Sequence, residues 1–175
     1  QRDAANWYRI NPHRLHLGIV GLELPEGTGF DAFTEVNQTL DLLNGQINSS
    51  YKLNGKPVSV QTVCHPERDI MSSMIVATEP MAIKLCYAYP TGAHSDDASN
   101  WNANDKHSTT LVASTDNSAT LKRVIDESVY YVVLQWDGNA TLTEKEANYF
   151  VLSATCDTLS FSCEDRLETP SNSSQ

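Results

Sequence analysis

The chain predicts an all-β fold, an antiparallel β-sandwich, and three observations carry that expectation. Short segments with period-two hydrophobic alternation recur from about Leu15 to Cys156. Turn chemistry separates them at close spacing, including two Asn-Gly pairs. Helical periodicity is almost absent. Short strands punctuated by turns, without intervening helices, fit two packed antiparallel sheets better than an α/β architecture.

The elements follow in order. Leu15 to Leu24 is β-rich and ends at Pro25-Glu26-Gly27. Asn44-Gly45 follows Thr39-Leu40-Asp41-Leu42 and marks a first hairpin. Asn54-Gly55 marks a second, because a type I′ turn needs positive φ at both central residues. Around it, Ile47, Ser49, Tyr51 and Leu53 share one face, as do Val58, Val60, Thr62 and Cys64. Ile70 to Thr78 and Met81 to Tyr89 read as strands about Glu79-Pro80. Ser108 to Ser114 and Thr120 to Ile125 flank Asp116-Asn117-Ser118. Ser128 to Trp136 is the most apolar run and closes at Asp137-Gly138-Asn139. Asn148 to Cys156 is the last expected strand, and Thr143 to Ala147 is expected to form one helical turn. Residues 1–163 read as a single domain and 164–175 as a polar tail or linker.

With 175 residues the chain has room for one ordinary domain. The 22 acidic residues exceed the 12 basic ones, for a formal net charge of −10. Such a chain repels a phosphate backbone overall, and no Lys/Arg cluster offsets that, so nucleic acid is not an expected partner. No apolar run approaches the roughly 18 residues of a membrane span, and Gln1-Arg2-Asp3 opens no signal-peptide apolar region. Cys64, Cys86, Cys156 and Cys163 form no C-x-x-C pair. They admit three disulfide pairings, or stand as small buried apolar residues, the reading their alternating strand positions favour.

The segment from Tyr89 to His107 is long for a hairpin connection and holds the richest set of chemical groups. His94, Asp96, Asp97, Trp101 and His107 are the candidate substrate-binding residues. An aromatic face stacks on the apolar side of a sugar ring, while carboxylates and imidazoles bond its hydroxyls. A second aromatic run, Asn6 to His16, contains Trp7, Tyr8 and Arg14 as a face for a glycan or a neighbouring domain, although Trp7 and Tyr8 are expected mainly to pin the N-terminus to the sheet. No metal site is expected: Cys64 and His65 are adjacent on a strand and point to opposite faces, and Asp96, Asp97 and Asp105 lack EF-hand spacing. No nucleophile elbow and no phosphate-binding glycine loop occur, and no cofactor is implied. Asn37, Asn48, Asn139 and Asn172 fit the N-x-[ST] pattern.

Three blocks in order carry a resemblance: Asn11-Pro12-His13-Arg14-Leu15-His16-Leu17-Gly18, then Leu40-Asp41-Leu42-Leu43-Asn44-Gly45-Gln46-Ile47-Asn48-Ser49, then Cys64-His65-Pro66-Glu67-Arg68-Asp69. With Tyr87-Ala88-Tyr89-Pro90-Thr91-Gly92-Ala93-His94, this order resembles the N-terminal domains of Bacteroides-type glycoside hydrolases of families 65 and 95. There a β-supersandwich of galactose-mutarotase-like type precedes an (α/α)6 catalytic barrel. The resemblance implies a non-catalytic N-terminal domain that packs on the C-terminal barrel of the same polypeptide, with an oligosaccharide as the substrate-side partner. It also implies a periplasmic or extracellular location. The catalytic acid and base of such enzymes belong to the barrel, so no catalytic residue is expected in this chain. A free-standing carbohydrate-binding module, with Trp101 and Trp7 or Tyr89 as stacking platform, is the alternative. A self-sufficient hydrolase using Asp96, Asp97 or Asp105 ranks last, because neighbouring loop carboxyls seldom hold the separations that glycoside cleavage needs.

Overall fold

The computed structural model describes residues 2–5, 16–91 and 99–168. Its strands are β1 (Ile19–Leu22), β2 (Phe33–Asp41), β3 (Gln46–Leu53), β4 (Lys56–Cys64), β5 (Ile70–Val76), β6 (Ala82–Cys86) and β7 (Tyr89–Pro90). They continue with β8 (Ser99–Asn100), β9 (His107–Ser114), β10 (Ser118–Ile125), β11 (Ser128–Trp136), β12 (Ala140–Glu146), β13 (Tyr149–Ala154) and β14 (Thr158–Arg166). An eight-stranded sheet, ordered β2-β3-β4-β5-β14-β11-β10-β9, packs on a four-stranded sheet, β1-β6-β13-β12. β7 and β8 form a separate two-stranded ribbon. Every strand pair is antiparallel. The architecture is the expected β-sandwich, and no helix among the described residues is long and apolar enough to cross a membrane.

Period-two alternation builds the core. On β10, Ala119, Leu121, Arg123 and Ile125 are buried; on β11, Tyr130, Val132, Leu134 and Trp136 are. Leu159 and Phe161 of β14 and Ile75 of β5 continue the same face. From the small sheet Ile83, Leu85, Phe150 and Leu152 complete the interior. Gly18 fits here for a steric reason. Its φ is +114°, and a Cβ there would lie 2.7 Å from the Tyr87 ring.

The Asn54-Gly55 hairpin is a two-residue turn with φ of 50° and 80°, as expected. At Asn44-Gly45 only the glycine takes positive φ, 62°, so that connection is longer than a type I′ turn. Asp41 organises it instead. Its Oδ1 accepts from the backbone N–H of Leu43 and of Asn44, and its Oδ2 from Asn44 Nδ2 at 2.6 Å. Hydrogen bonds from Asn44 hold that exposed carboxyl below its ordinary range.

Several expectations are corrected. The segment Thr143 to Ala147 forms no helical turn; Thr143 to Glu146 belongs to β12, where Thr143 pairs with Val151 and Glu144 with Phe150. Cross-strand pairing overrides the helix-favouring Glu-Lys-Glu composition there. β14 was not expected as a strand, yet it lies inside the large sheet between β5 and β11. Its serines alternate with Leu159, Phe161 and Cys163, which face the core. The strand continues through Arg166, three residues into the expected tail. β2 begins at Phe33, well before Thr39, and carries a bulge where Glu35 takes φ of 52°. The four cysteines are free thiols, but only Cys86 is buried; Cys156 and Cys163 are half-buried and Cys64 is exposed.

Replacing the fully buried Phe150 with alanine is expected to cost about 3–5 kcal/mol in urea denaturation. Leu43→Ser, in the exposed β2–β3 turn, should stay within about 0.5 kcal/mol of the parent.

Candidate functional site

The ribbon β7–β8 pairs Tyr89 with Asn100 and Pro90 with Ser99, so the start of the long loop is held beside its middle. His94, Asp96 and Asp97 lie outside the described residues, as do Trp7, Tyr8 and Arg14. Trp101 follows β8 and is 38% exposed; His16 meets it edge-on, with ring centroids 5.3 Å apart at 87°. The Tyr89 hydroxyl donates to the Asp126 carboxylate, 3.0 Å from each oxygen, and Lys106 Nζ stands 5.5 Å from the centre of the Tyr89 ring. That carboxylate raises the Tyr89 hydroxyl above its usual value.

His107 is differently placed from Trp101. It opens β9 opposite Ile125, and its ring turns into the sandwich, leaving the residue 6% exposed. There it meets Arg123, which is completely buried and was not singled out from the sequence. Arg123 Nη1 lies 2.8 Å from His107 Nδ1 and donates to Thr109 Oγ1 at 2.8 Å and to Asn148 Oδ1 at 3.4 Å. Its Nε approaches the Tyr130 hydroxyl at 3.4 Å. The guanidinium also lies 4.6 Å from the Tyr87 ring centre and 5.9 Å from that of Tyr130.

Among the described residues no salt bridge neutralises this buried cation. Ring faces and neutral acceptors compensate it in part, a desolvated cation–π contact being worth about 2 kcal/mol, while Arg123 Nη2 and His107 Nε2 are buried without a hydrogen-bond partner among the described residues. With Arg123 donating to Nδ1, the imidazole proton sits on Nε2. Burial and then the Arg123 charge push the His107 pKa down. Asn148, in the β12–β13 turn with φ of 63°, ties the cluster to the small sheet: Thr109 Oγ1 donates to its Oδ1, and its Nδ2 donates to Asn104 Oδ1 at 3.2 Å. The signal for Arg123 was present in the sequence. One basic residue occupies the apolar phase of Ala119, Leu121 and Ile125.

A second feature lies at the same end of the sandwich. Asp165 has a buried Oδ1 without a hydrogen-bond partner among the described residues. Burial, and then the neighbouring Asp69 charge, raise its carboxyl from 3.8 to about 6. A cleft of about 300 Å³ opens beside it, lined by Leu17, Asp69, Val129, Tyr130, Asp165 and Leu167. The site therefore holds one carboxyl that keeps its proton up to about pH 6 and a second nearby. The apolar setting of Cys163 likewise pushes its thiol up to about 12, leaving it an inert core group.

No family model and no curated protein matches the chain. Among solved structures, a chain described as a kojibiose phosphorylase from human microbiome is similar to it. The identity is 14%, the TM-score 0.44, and the alignment covers 81% of this chain and 20% of that one. This chain thus spans about a fifth of that protein's length. A likeness so remote transfers no residue roles.

The Asp165 shift has a definite sign. The folded chain retains a proton that the unfolded chain releases between about pH 4 and 6, so this group's contribution to stability falls as pH rises through that window. Asp165→Asn is expected to be more stable than the parent at pH 7 by about 1–2 kcal/mol, after discounting for its partial solvent contact. The difference should vanish near pH 4 in denaturation curves. His107 acts oppositely, its contribution being lost as pH falls below the ordinary histidine range.

Proposed function

We propose that this chain is a non-catalytic β-sandwich domain of a carbohydrate-degrading glycoside hydrolase. It packs on an (α/α)6 catalytic barrel and lends a loop, the His94 to His107 region, to the barrel's substrate cleft. The order of sequence blocks supports this reading, including the Cys64-His65-Pro66-Glu67-Arg68-Asp69 block. That resemblance also favours a location outside the cytoplasm of a bacterium.

The observation that carries the packing role is an uncovered apolar edge. One row of inward residues crosses the large sheet as Leu40, Ile47, Thr62, Ser73, Phe161 and Trp136. Trp136, Phe161 and Ser73 are 7%, 6% and 8% exposed, but Ile47 rises to 37% and Leu40 to 58%. Along this row burial fades towards β2 and β3, whereas Tyr51 and Leu53 further along β3 still pack on the core. Beyond the row, Leu42 and Leu43 in the β2–β3 turn are 82% and 97% exposed. Leucines clustered at one edge in this way fit a surface that a larger partner covers.

Leu42→Ser with Leu43→Ser tests the role in a polypeptide that carries the proposed barrel. The parent should melt as one cooperative unit and release sugar from oligosaccharides. The double variant should show separated domain transitions and reduced sugar release, while the 175-residue chain carrying the same changes melts as its parent does. Unchanged melting and activity in the barrel-carrying polypeptide would remove the proposed role.

A further inference from the structure

The face of the large sheet turned away from the core carries a different pattern. Register places Thr39, Asn48, Gln61, Met74 and Ser160 in one row across β2, β3, β4, β5 and β14. Val63, Ser72, Ser162 and Gln135 form the next row, reaching β11. Asn37, Ser50, Ser59 and Val76 form a third. These rows line two adjoining depressions of about 380 and 270 Å³ that share Gln61 and Met74. Serines make the floor because their side chains are short, and Gln61, Met74 and Gln135 make the walls. The larger depression falls within the roughly 300–1,000 Å³ of ligand sites.

The trough carries amide and hydroxyl groups among a larger share of apolar surface and is nearly free of charge. Asp137, at the rim with Oδ2 accepting from the Ser160 backbone N–H, is the one ionisable residue lining either depression. Charges gather beyond the ends instead, as the Glu35–Lys52 pair and the Arg68–Glu164–Arg166 group. For a chain with 34 Asp, Glu, Lys and Arg residues, this spacing of neutral groups is distinctive. The amides are also ordered. Gln46 Nε2 and Gln61 Nε2 both donate to Asn48 Oδ1, at 2.7 and 3.3 Å, which turns Asn48 Nδ2 away from them.

We propose that this trough binds an uncharged oligosaccharide lying across β3, β4, β5, β14 and β11. Amide and hydroxyl side chains each donate and accept, as sugar hydroxyls do, so they can exchange water for sugar without desolvating a charge. Met74, Val63 and Val76 offer apolar contact to ring C–H faces between them. An acidic glycan or a phosphorylated ligand would require cations that the trough lacks. Protein partners would require a larger apolar area than one methionine and two valines provide. Four strand spacings of about 4.8 Å give the trough a span of about 19 Å, enough for several sugar rings. The proposal does not depend on barrel packing, which concerns the opposite face of the sheet.

The test is a two-dimensional NMR titration of the isotope-labelled 175-residue chain with maltohexaose, cellohexaose and laminarihexaose, and with an oligogalacturonate as the charged control. At least one neutral hexaose should bind at millimolar or lower concentration and shift the side-chain amides of Asn48, Gln61 and Gln135. Gln61→Leu with Gln135→Leu should weaken binding about tenfold or more, close to 1.4 kcal/mol. Ser162→Lys, which fills the floor, should weaken it similarly, with thermal melts confirming that each variant folds. Absence of shifts with all three neutral probes would overturn the proposal. So would shifts confined to the surroundings of Trp101, or equal binding of the oligogalacturonate.

Discussion

The structure depends on a mismatch in width between its two sheets. Eight strands on one side face four on the other. A sandwich buries apolar residues only where both layers are present, so the core concentrates over β10, β11, β14 and β5. Phe161 and Trp136 belong to the same row as Leu40 and Ile47, yet only the first pair is covered. Cys64 shows the same gradient: it shares a row with Met71 and Cys163 but lies beyond the small sheet. The exposed leucines of the β2–β3 hairpin are thus a consequence of sheet geometry.

At the other end the interior is polar. Arg123 is buried among neutral acceptors and two tyrosine rings, with His107 held in one tautomer beside it. Asp165 contributes to the electrostatics of both Tyr87 and Tyr130. Removing one member of such a network leaves its partners unsatisfied in a low-dielectric interior, and this makes the cluster a specifier of one arrangement. It also fixes how β9, β10 and the β12–β13 turn meet, since Thr109, Arg123 and Asn148 share hydrogen bonds.

Alternation made most strands legible. Val58, Val60 and Thr62, and the apolar run from Ser128 to Trp136, could be placed because side chains on a strand switch faces at each residue. β14 is hard to read from sequence because its outward positions are serines and its end is charged, so Leu159, Phe161 and Cys163 stand as isolated apolar residues in a polar stretch. Thr143 to Ala147 misled through composition, which tertiary pairing overrode. In the candidate site, Trp101 was legible as an exposed aromatic. The inward turn of His107 was not, because it depends on the register of β9 against β10. Arg123 could have been found as a cation in an apolar phase, whereas the neutral trough exists only once β2 to β5 are aligned with β14.

Amide hydrogen exchange tests most directly the claim that the small sheet covers only part of the large one. It should be measured strand by strand on the 175-residue chain. Protection near the global unfolding free energy is expected in β10, β11, β14 and β5, with β2 and the β2–β3 turn opening by local fluctuation far more readily. In a polypeptide that carries the proposed barrel, protection should spread to β2 and β3. Uniform protection across all eight strands of the isolated chain would contradict the account.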